Sequence, residues 1–191
     1  MPTVSIDNLE RTLGQSKGKG GNAARPGSGP QMCGDIDIRI ARDGTWYYMG
    51  SPIGRQALVN LFASVLERDE SGDFWLVTPA EMCRIRVDDA PFVAVEMTVE
   101  GDGNDRSIRF RTNTDEIVTA GPEHPIRVQV DAETDEPSPY VHVRDGLEAL
   151  IARPVFYDLV ELADEIETAD GPALQVASDG AVFTIGTIGD A

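Results

Sequence analysis

The sequence predicts an α+β fold of mostly antiparallel short strands with two main helices, built from two repeated β-β-α-β-β motifs. Many short runs alternate apolar and polar residues between turn signals, as strands do. Two longer stretches carry apolar residues at helical spacing. At a fixed offset of 94 positions, Trp46 aligns with Tyr140, Phe62 with Phe156 and Glu67 with Glu161. Strand runs mixed with few helices are typical of the α+β class.

The chain of 191 residues has room for one large domain or two small ones. Residues 1–33 are predicted to be a flexible N-terminal arm, because Gly, Lys, Ser and Pro dominate residues 15–30. Residues 34–115 are predicted to form the first repeat unit with an inserted long hairpin. Residues 116–191 are predicted to form the second repeat unit.

The first unit begins with isoleucines that alternate with charged residues, which predicts a strand at 36–40. Asp43-Gly44 predicts a tight turn into a partner strand at 46–49. Ser51-Pro52 then predicts a helix start, with serine as the N-cap and proline at the first helical position. Alternating runs predict two further strands at 74–77 and 83–87.

The inserted hairpin is predicted from alternating residues at 93–99 and 108–111, with its tip at 101–104. In the second unit, strands are predicted at 126–130 and 140–143. Asp145 and Glu148 have the spacing of a capping box and predict the second helix, which Pro154 should break or kink. A final hairpin is predicted at 171–186.

Composition limits the classes of partner. A net charge of −17 disfavours nucleic acid and anionic membrane, since both require a basic surface. No apolar run approaches the roughly 18 residues of a membrane span, and the first residues lack the apolar segment of a secretory signal. We therefore expect a cytoplasmic protein. The acidic surface favours solubility, or alternatively attracts a basic partner.

Cysteine and histidine are few. Cys33, Cys83, His124 and His142 are all that the chain contains, and none lies at metal-ligand spacing. The two cysteines are predicted to be free, partly buried thiols. Neither a nucleophile elbow nor a triad pattern is present. The sequence therefore predicts no catalytic residue, no metal and no cofactor.

The strongest polar cluster is on the strand at 140–144, where an aromatic, an imidazole and a guanidinium alternate. If the two repeats pack about a pseudo-two-fold axis, this corner and its counterpart near Trp46 would line a groove. Arginines would pair an anionic group of a ligand, aromatics would cover its apolar part, and Thr and Asn would orient it. The alternative is core packing with His142 bonded to backbone. The predicted ligand-binding residues are Trp46, Arg55, Thr112, Asn113, Tyr140, His142 and Arg144.

Three function classes remain from the residues. The favoured class is a non-enzymatic ligand-binding or regulatory module that takes a small anionic ligand or a protein partner. A metal-assisted hydrolase would use clustered carboxylates such as Asp35 and Asp37, which share one strand face. A protein-interaction adaptor would use the acidic surface, and would show an exposed apolar patch or sheet edge.

A set of ordered segments runs between Gly34 and Ala163: Asp43-Gly44-Thr45-Trp46, Gly50-Ser51-Pro52-Ile53, Leu61-Phe62-Ala63, Leu76-Val77-Thr78-Pro79, Ala90-Pro91-Phe92-Val93, Arg111-Thr112-Asn113 and Pro139-Tyr140-Val141-His142-Val143-Arg144. Together these segments resemble a known bacterial family, the domain of unknown function 1285. The resemblance implies a small cytoplasmic protein with repeated strand-strand-helix motifs, no assigned reaction and a suggested role in signal transduction.

Overall fold

A computed structural model describes residues 30–169 and 171–187. Within these ranges the chain forms 15 strands and two α-helices, a mostly-β α+β fold as the sequence predicted. The chain divides into two compact units, residues 1–88 and 89–191, whereas the predicted repeat boundary lies at 115/116. Most of the predicted arm lies outside the described residues, but Gln31 to Cys33 belong to the first strand.

The first unit contains one six-stranded sheet with the order β3-β2-β1-β6-β5-β4. All neighbours are antiparallel except β1 and β6, the parallel pair at the centre. The helix α1 joins the two edge strands and so provides part of the crossover that a parallel pair requires. The elements are β1 (Gln31–Ile40), β2 (Trp46–Tyr48), β3 (Ser51–Pro52), α1 (Gln56–Ala63), β4 (Leu66–Arg68), β5 (Phe74–Val77) and β6 (Glu81–Val87).

The core of the first unit follows from the alternation along β1. Ile38 and Ile40 are fully buried, while the charged residues that alternate with them, Asp37 and Arg39, face the other side of the sheet. α1 buries Phe62, whose ring stacks on Trp46 with centroids 6.1 Å apart. Aromatic pairs at this separation contribute packing energy beyond their buried area.

The predicted start of the first helix at Ser51-Pro52 is wrong. These residues form β3, which pairs with Tyr47 and Tyr48. Met49 and Gly50 both adopt positive φ, at 48° and 77°, and make the two-residue turn that returns the chain onto β2. α1 begins four residues after Pro52, at Gln56.

The second unit contains a six-stranded sheet with the order β10-β11-β12-β7-β8-β9, again with one parallel pair, β12 and β7, at its centre. Counted along the chain, the strand order is the same as in the first sheet. A 3₁₀ turn at Gly103–Asp105 forms the tip of the predicted long hairpin, which is confirmed. The sheet's strands are β7 (Phe92–Glu100), β8 (Ser107–Thr112), β9 (Ile117–Thr119), β10 (Ile126–Val130), β11 (Pro137–Arg144) and β12 (Leu147–Ile151).

The predicted capping box at Asp145 and Glu148 is wrong. Asp145 and Gly146 have φ of 45° and 74° and form the tight turn between β11 and β12. Every second residue of β12 is buried, which is strand periodicity rather than helical periodicity. The second helix, α2 (Arg153–Glu161), starts around Pro154, which the first helical turn tolerates. The two repeated β-β-α-β-β motifs are therefore not confirmed.

A three-stranded meander ends the described chain: β13 (Asp164–Thr168), β14 (Gly171–Ser178) and β15 (Ala181–Thr187). The predicted final hairpin is confirmed as β14 and β15. Buried Ser178 ties the meander to the second sheet: its Oγ donates to the carbonyl of Ala120 at 2.7 Å and accepts the N–H of Ile108 at 2.9 Å. No helix in the described ranges has the length and apolar character needed to cross a bilayer.

The two cysteines are not free thiols, which corrects the sequence prediction. Cys33 of β1 and Cys83 of β6 form a disulfide, with Cα atoms 5.2 Å apart. The sequence did not indicate this contact, because the two cysteines are 50 positions apart. Only the parallel pairing of the two strands makes them neighbours.

Replacing Phe62 with Ala is expected to reduce the free energy of unfolding of the first unit by about 3–5 kcal/mol, because the side chain is fully buried against Trp46. Urea denaturation followed by tryptophan fluorescence measures this, since both tryptophans lie in the first unit. The control is Met32→Ala, at a side chain 63% exposed, which should change stability by less than about 0.5 kcal/mol. Equal effects of the two substitutions would contradict this packing.

Candidate functional site

A ladder of ion pairs crosses the central strands of the first sheet, on the face opposite Ile38 and Ile40. Its members come from alternate positions of β1 and of β6 with the residue that follows it, so that their side chains project from one face. The two residues of each pair are 49 positions apart in the sequence. The pairs are Asp35–Arg84, Asp37–Arg86 and Arg39–Asp88.

The bonds of this ladder differ in geometry. Arg84 donates two hydrogen bonds to the Asp35 carboxylate, at 2.7 and 2.9 Å, and a third to Asp73 at 3.3 Å. Arg86 donates to Asp37 at 3.0 Å, with its side chain 71% exposed. The forked contact is the geometry in which arginine binds a carboxylate most strongly. Arg84 is therefore held at two carboxylates, and Arg86 is the more accessible guanidinium.

A groove of about 470 Å³ opens at this ladder. It coincides with an irregularity in the parallel pairing: Asp35 faces Arg84, but Arg39 faces Arg86, so four steps along β1 oppose two along β6. Such bulges bend a strand and redirect its side chains. The groove is lined by Asp35, Ile36, Asp37, Asp73, Arg84, Ile85 and Arg86.

The groove offers both signs of charge to a ligand. Hydrogen bonds from Arg84 hold the pKa of the Asp35 carboxyl below its ordinary value, and the same bonds raise the pKa of Arg84. Both side chains remain well exposed, so water screens the pairs and opening one costs little. A ligand could exchange into the ladder through a carboxylate, a phosphate or an ammonium group.

The carboxylates named for the hydrolase alternative lie at this groove, but their surroundings do not suit a metal ion. Asp35 and Asp37 share one face as predicted, yet each binds an arginine. Guanidinium next to a carboxylate opposes the binding of a cation at the same oxygens. Across residues 30–169 and 171–187, no group of three or more His, Cys, Asp and Glu side chains is placed to hold a metal.

Two predicted site residues lie in the first unit. Trp46 is 1% exposed and packs in the core. Within the described ranges its Nε1–H meets no hydrogen-bond acceptor. Arg55 is exposed at the N-cap position of α1, where its carbonyl accepts the N–H groups of Leu58 and Val59. Trp46 is therefore buried in the core, whereas Arg55 is exposed to solvent.

Thr112, Asn113 and Arg144 come together at one end of the second sheet. The Arg144 guanidinium carbon lies 5.4 Å from the Phe92 ring centroid, and Nε lies 3.4 Å from a carboxyl oxygen of Glu116. Thr112 Oγ1 accepts the N–H of Glu116 at 3.1 Å, and Asn113 Oδ1 accepts a backbone N–H at the start of β7 at 3.0 Å. The Arg144 guanidinium, the Phe92 ring and the hydrogen-bonded turn after β8 are therefore neighbours.

Tyr140 is also in the second unit, but it is 5% exposed. Its hydroxyl donates to Asp89 at 2.7 Å, and the Arg127 guanidinium lies 4.2 Å from its ring centroid. Arg127 in turn forms a forked contact with Glu148, both distances being 2.6 Å. These contacts fix the tyrosine as part of the sheet's structure.

His142 bonds to backbone at both ring nitrogens, as the core-packing alternative expected. Nδ1 lies 3.0 Å from the carbonyl of Glu123, and Nε2 accepts the N–H of Gly146 at 3.3 Å. A carbonyl can only accept, so Nδ1 carries the proton and Nε2 does not. In this tautomer the ring joins two turns.

The groove residues Arg84, Arg86 and Asp73 were missed by the sequence-based set. A signal was present: the order Asp-x-Asp-x-Arg at 35–39 is the charge complement of Arg-x-Arg-x-Asp at 84–88. Complementary alternation over two strands favours their lateral pairing. This complementarity identifies the pairing only once the two strands are known to be neighbours.

Two family descriptions match the chain. Residues 28–90 match "Domain of unknown function (DUF1285), N-terminal domain", and residues 91–185 match "Protein of unknown function (DUF1285), C-terminal domain". These matches meet two residues after the division between the compact units. No curated protein matches the chain.

Two crystal structures of DUF1285 family proteins are similar to this chain. That from Silicibacter pomeroyi DSS-3 is 46% identical with a TM-score of 0.78, and the match covers 93% of this chain and 95% of that one. That from Shewanella baltica OS155 is 22% identical with a TM-score of 0.52, over 66% of this chain and 91% of that one. The second likeness concerns the fold alone.

The Asp35 carboxyl is expected to titrate below its ordinary pKa of 3.8 because Arg84 stabilises the charged form. A carboxyl with a lowered folded-state pKa stabilises the fold above its unfolded pKa, and this contribution disappears as pH falls through the folded value. NMR titration of the side-chain carboxyl measures it. Arg84→Gln should raise the midpoint toward 3.8, while Asp43, whose pKa is lowered mainly by Thr45, should not move. An unchanged Asp35 midpoint in the variant would refute the assignment.

At about pH 8, where an ordinary imidazole is neutral, His142 is expected to be the Nδ1–H tautomer, because its Nδ1 faces a carbonyl and its Nε2 faces an N–H. Long-range ¹H–¹⁵N correlation spectra distinguish the two tautomers. Signals of the Nε2–H form would show that the bond from Gly146 is absent.

Proposed function

Because this chain belongs to the DUF1285 family, whose two domain descriptions assign no activity, we propose its function from geometry: a non-enzymatic binding or regulatory module that holds a small charged ligand in the groove of the first sheet. A cytoplasmic location, expected from the sequence, is part of this proposal. The observation that carries it is a groove with guanidinium, carboxylate and apolar groups together.

The size and chemistry of the groove define the ligand class. A volume of about 470 Å³ lies within the roughly 300–1,000 Å³ of small-molecule sites. The exposed Arg86 guanidinium suits a carboxylate or phosphate, and Asp37 and Asp73 suit an ammonium group. Ile36 and Ile85 offer apolar surface between them. The ligand is thus a small zwitterion of amino-acid type, with an anionic group for arginine.

Binding would proceed by exchange of ion pairs. The Asp37–Arg86 pair has side chains 55% and 71% exposed, so its loss costs little. A ligand that supplies both charges restores each bond that it breaks and covers the part of Ile36 that is still exposed. Charge-assisted hydrogen bonds are the stronger kind, which favours a ligand that satisfies both members of the pair.

The turn around Arg144 in the second unit is a second candidate site for an anion. The Arg144–Glu116 separation of 3.4 Å is longer than the 2.7 Å of Arg84–Asp35. An anionic ligand group would compete with Glu116 for the guanidinium, with Phe92 beneath it. Thr112 and Asn113 accept backbone N–H groups at the adjoining turn, and we propose that they orient the ligand there.

An adaptor role is favoured by one feature of the second sheet. Its edge strand β9 carries Ile117, which is 64% exposed. An edge strand with an exposed apolar side chain can pair with a strand of another protein. A protein partner would then bind this edge rather than the groove.

The decisive experiment is a thermal-shift screen of the full chain against amino acids, organic acids, phosphates, nucleotides and divalent metals. A ligand at a hundred times its dissociation constant should stabilise by about 2.7 kcal/mol. Arg86→Ala should weaken binding about tenfold or more through loss of a charged hydrogen bond. The matched control Arg109→Ala removes a cross-strand arginine bonded to Glu100 at 2.7 Å in the second sheet, and should retain binding.

The outcomes separate the alternatives. A hit that survives Arg86→Ala but is lost in Arg144→Ala would move the site to the second unit. A response to metals alone would favour the hydrolase. No response from folded protein would rule out the small-molecule module and leave the adaptor.

A further inference from the structure

The disulfide between Cys33 and Cys83 occupies a position that couples thiol chemistry to the central strand pair. It joins β1 to β6, and the chain contains no other cysteine with which either could exchange. Cys83 is fully buried, and Cys33 is half-buried near the start of β1. Of the two cysteines, Cys33 is the one that retains exposed surface, so an external thiol would approach the bond from its side.

The backbone around Cys33 depends on the bond. Met32 pairs with Met82 and Gly34 pairs with Cys83, so Cys33 is an extra residue that no position of β6 opposes. Gly34 has φ of 83°, the left-handed region that such bulges commonly use. Cys33 thus has no backbone partner on β6. It is joined to that strand through the disulfide of its side chain.

Among the described residues, the start of β1 contributes little buried apolar surface. Gln31 and Met32 are exposed, whereas Ile38 and Ile40 further along the strand are fully buried. A backbone bond from the Gln31 N–H to the Ala80 carbonyl, at 2.8 Å, begins the pairing. Segments with little buried apolar surface open locally at low free energy. Residues 31–34 therefore rely on the disulfide far more than residues 38–40 do.

We propose that this disulfide is a reversible redox lock that holds residues 31–34 of β1 on β6 and releases them when it is reduced. The ion-paired and buried part of β1 stays in place in both states. The lock is independent of any ligand in the groove. In a reducing compartment such as the cytoplasm, the two thiols are the resting state and the bond forms during oxidative stress, whereas in an oxidising compartment the bond persists.

The chemistry is thiol–disulfide exchange with a dithiol reductant. Its thiolate attacks Sγ of Cys33, the less buried of the two residues, and the Cys33–Cys83 bond breaks. The Cys83 sulfur leaves as a thiolate and takes up one proton. The second thiol of the reductant then attacks the mixed disulfide, so that Cys33 leaves and is protonated. The protein gains two electrons and two protons, and the dithiol becomes a cyclic disulfide.

The test compares the full chain in oxidised form and after equilibration with dithiothreitol. Alkylation of the denatured protein, read by intact mass, should find no free thiol in the first sample and two in the second. Hydrogen exchange should become at least about tenfold faster at residues 31–34 on reduction, and stay unchanged at 38–40. Cys33→Ala should exchange fast at 31–34 in both conditions, and Met32→Ala should keep the wild-type response.

Three results would overturn the lock. They are two free thiols in the oxidised sample, equal exchange at 31–34 in both redox states, or unfolding of the whole first unit on reduction. Cys83→Ala provides a second variant of the pair, with a small apolar side chain at the buried position. If either alanine variant is folded by circular dichroism and shows slow exchange at 31–34, the proposal is likewise overturned.

Discussion

In each unit, the first and last strands of the six-stranded sheet pair in parallel at its centre. Parallel neighbours cannot be joined by a hairpin, so the chain must leave the centre and return from the opposite edge. In the first unit, the connection between the two edge strands contains α1. In the second unit, a loop connects the edge strands β9 and β10 directly. The ion-pair ladder, the groove and the disulfide of the first unit all exist because this pairing brings residues 49 or 50 positions apart into contact.

Exposed ion pairs contribute little stability one at a time, so the ladder alone does not fix the register of β1 on β6. Each of its three pairs joins opposite charges. The backbone pairing nevertheless sets Arg39 opposite Arg86, and each of these guanidiniums reaches a carboxylate, Asp88 and Asp37 respectively. A slip of one residue would turn the isoleucines of β1 to the solvent. The burial of these isoleucines therefore determines the register, and the ion pairs form within it.

The strands were predictable from sequence because alternation is a local property, and 74–77 and the final hairpin needed no tertiary information. Helix starts were not, since Ser51-Pro52 and Asp145 fit a cap and a turn equally well locally. Tight turns with positive φ decided both cases. The candidate groove was out of reach because its arginines and carboxylates belong to strands that only the crossover makes adjacent. Trp46 looked available for binding, yet packing against Phe62 buries it.

Ser178 gives the C-terminal meander a significance beyond its size. Its hydroxyl fills both the donor and the acceptor needs of the second sheet at Ile108 and Ala120, in a place that water hardly reaches. A chain shortened after α2 would lose both of these hydrogen bonds, at about 0.5–1.5 kcal/mol each, together with the burial of Val176 and Ile185 in the meander. The three-stranded meander is therefore no removable appendage: in deletion or domain-fusion experiments, the second unit has to be carried through β15 to remain one folding unit.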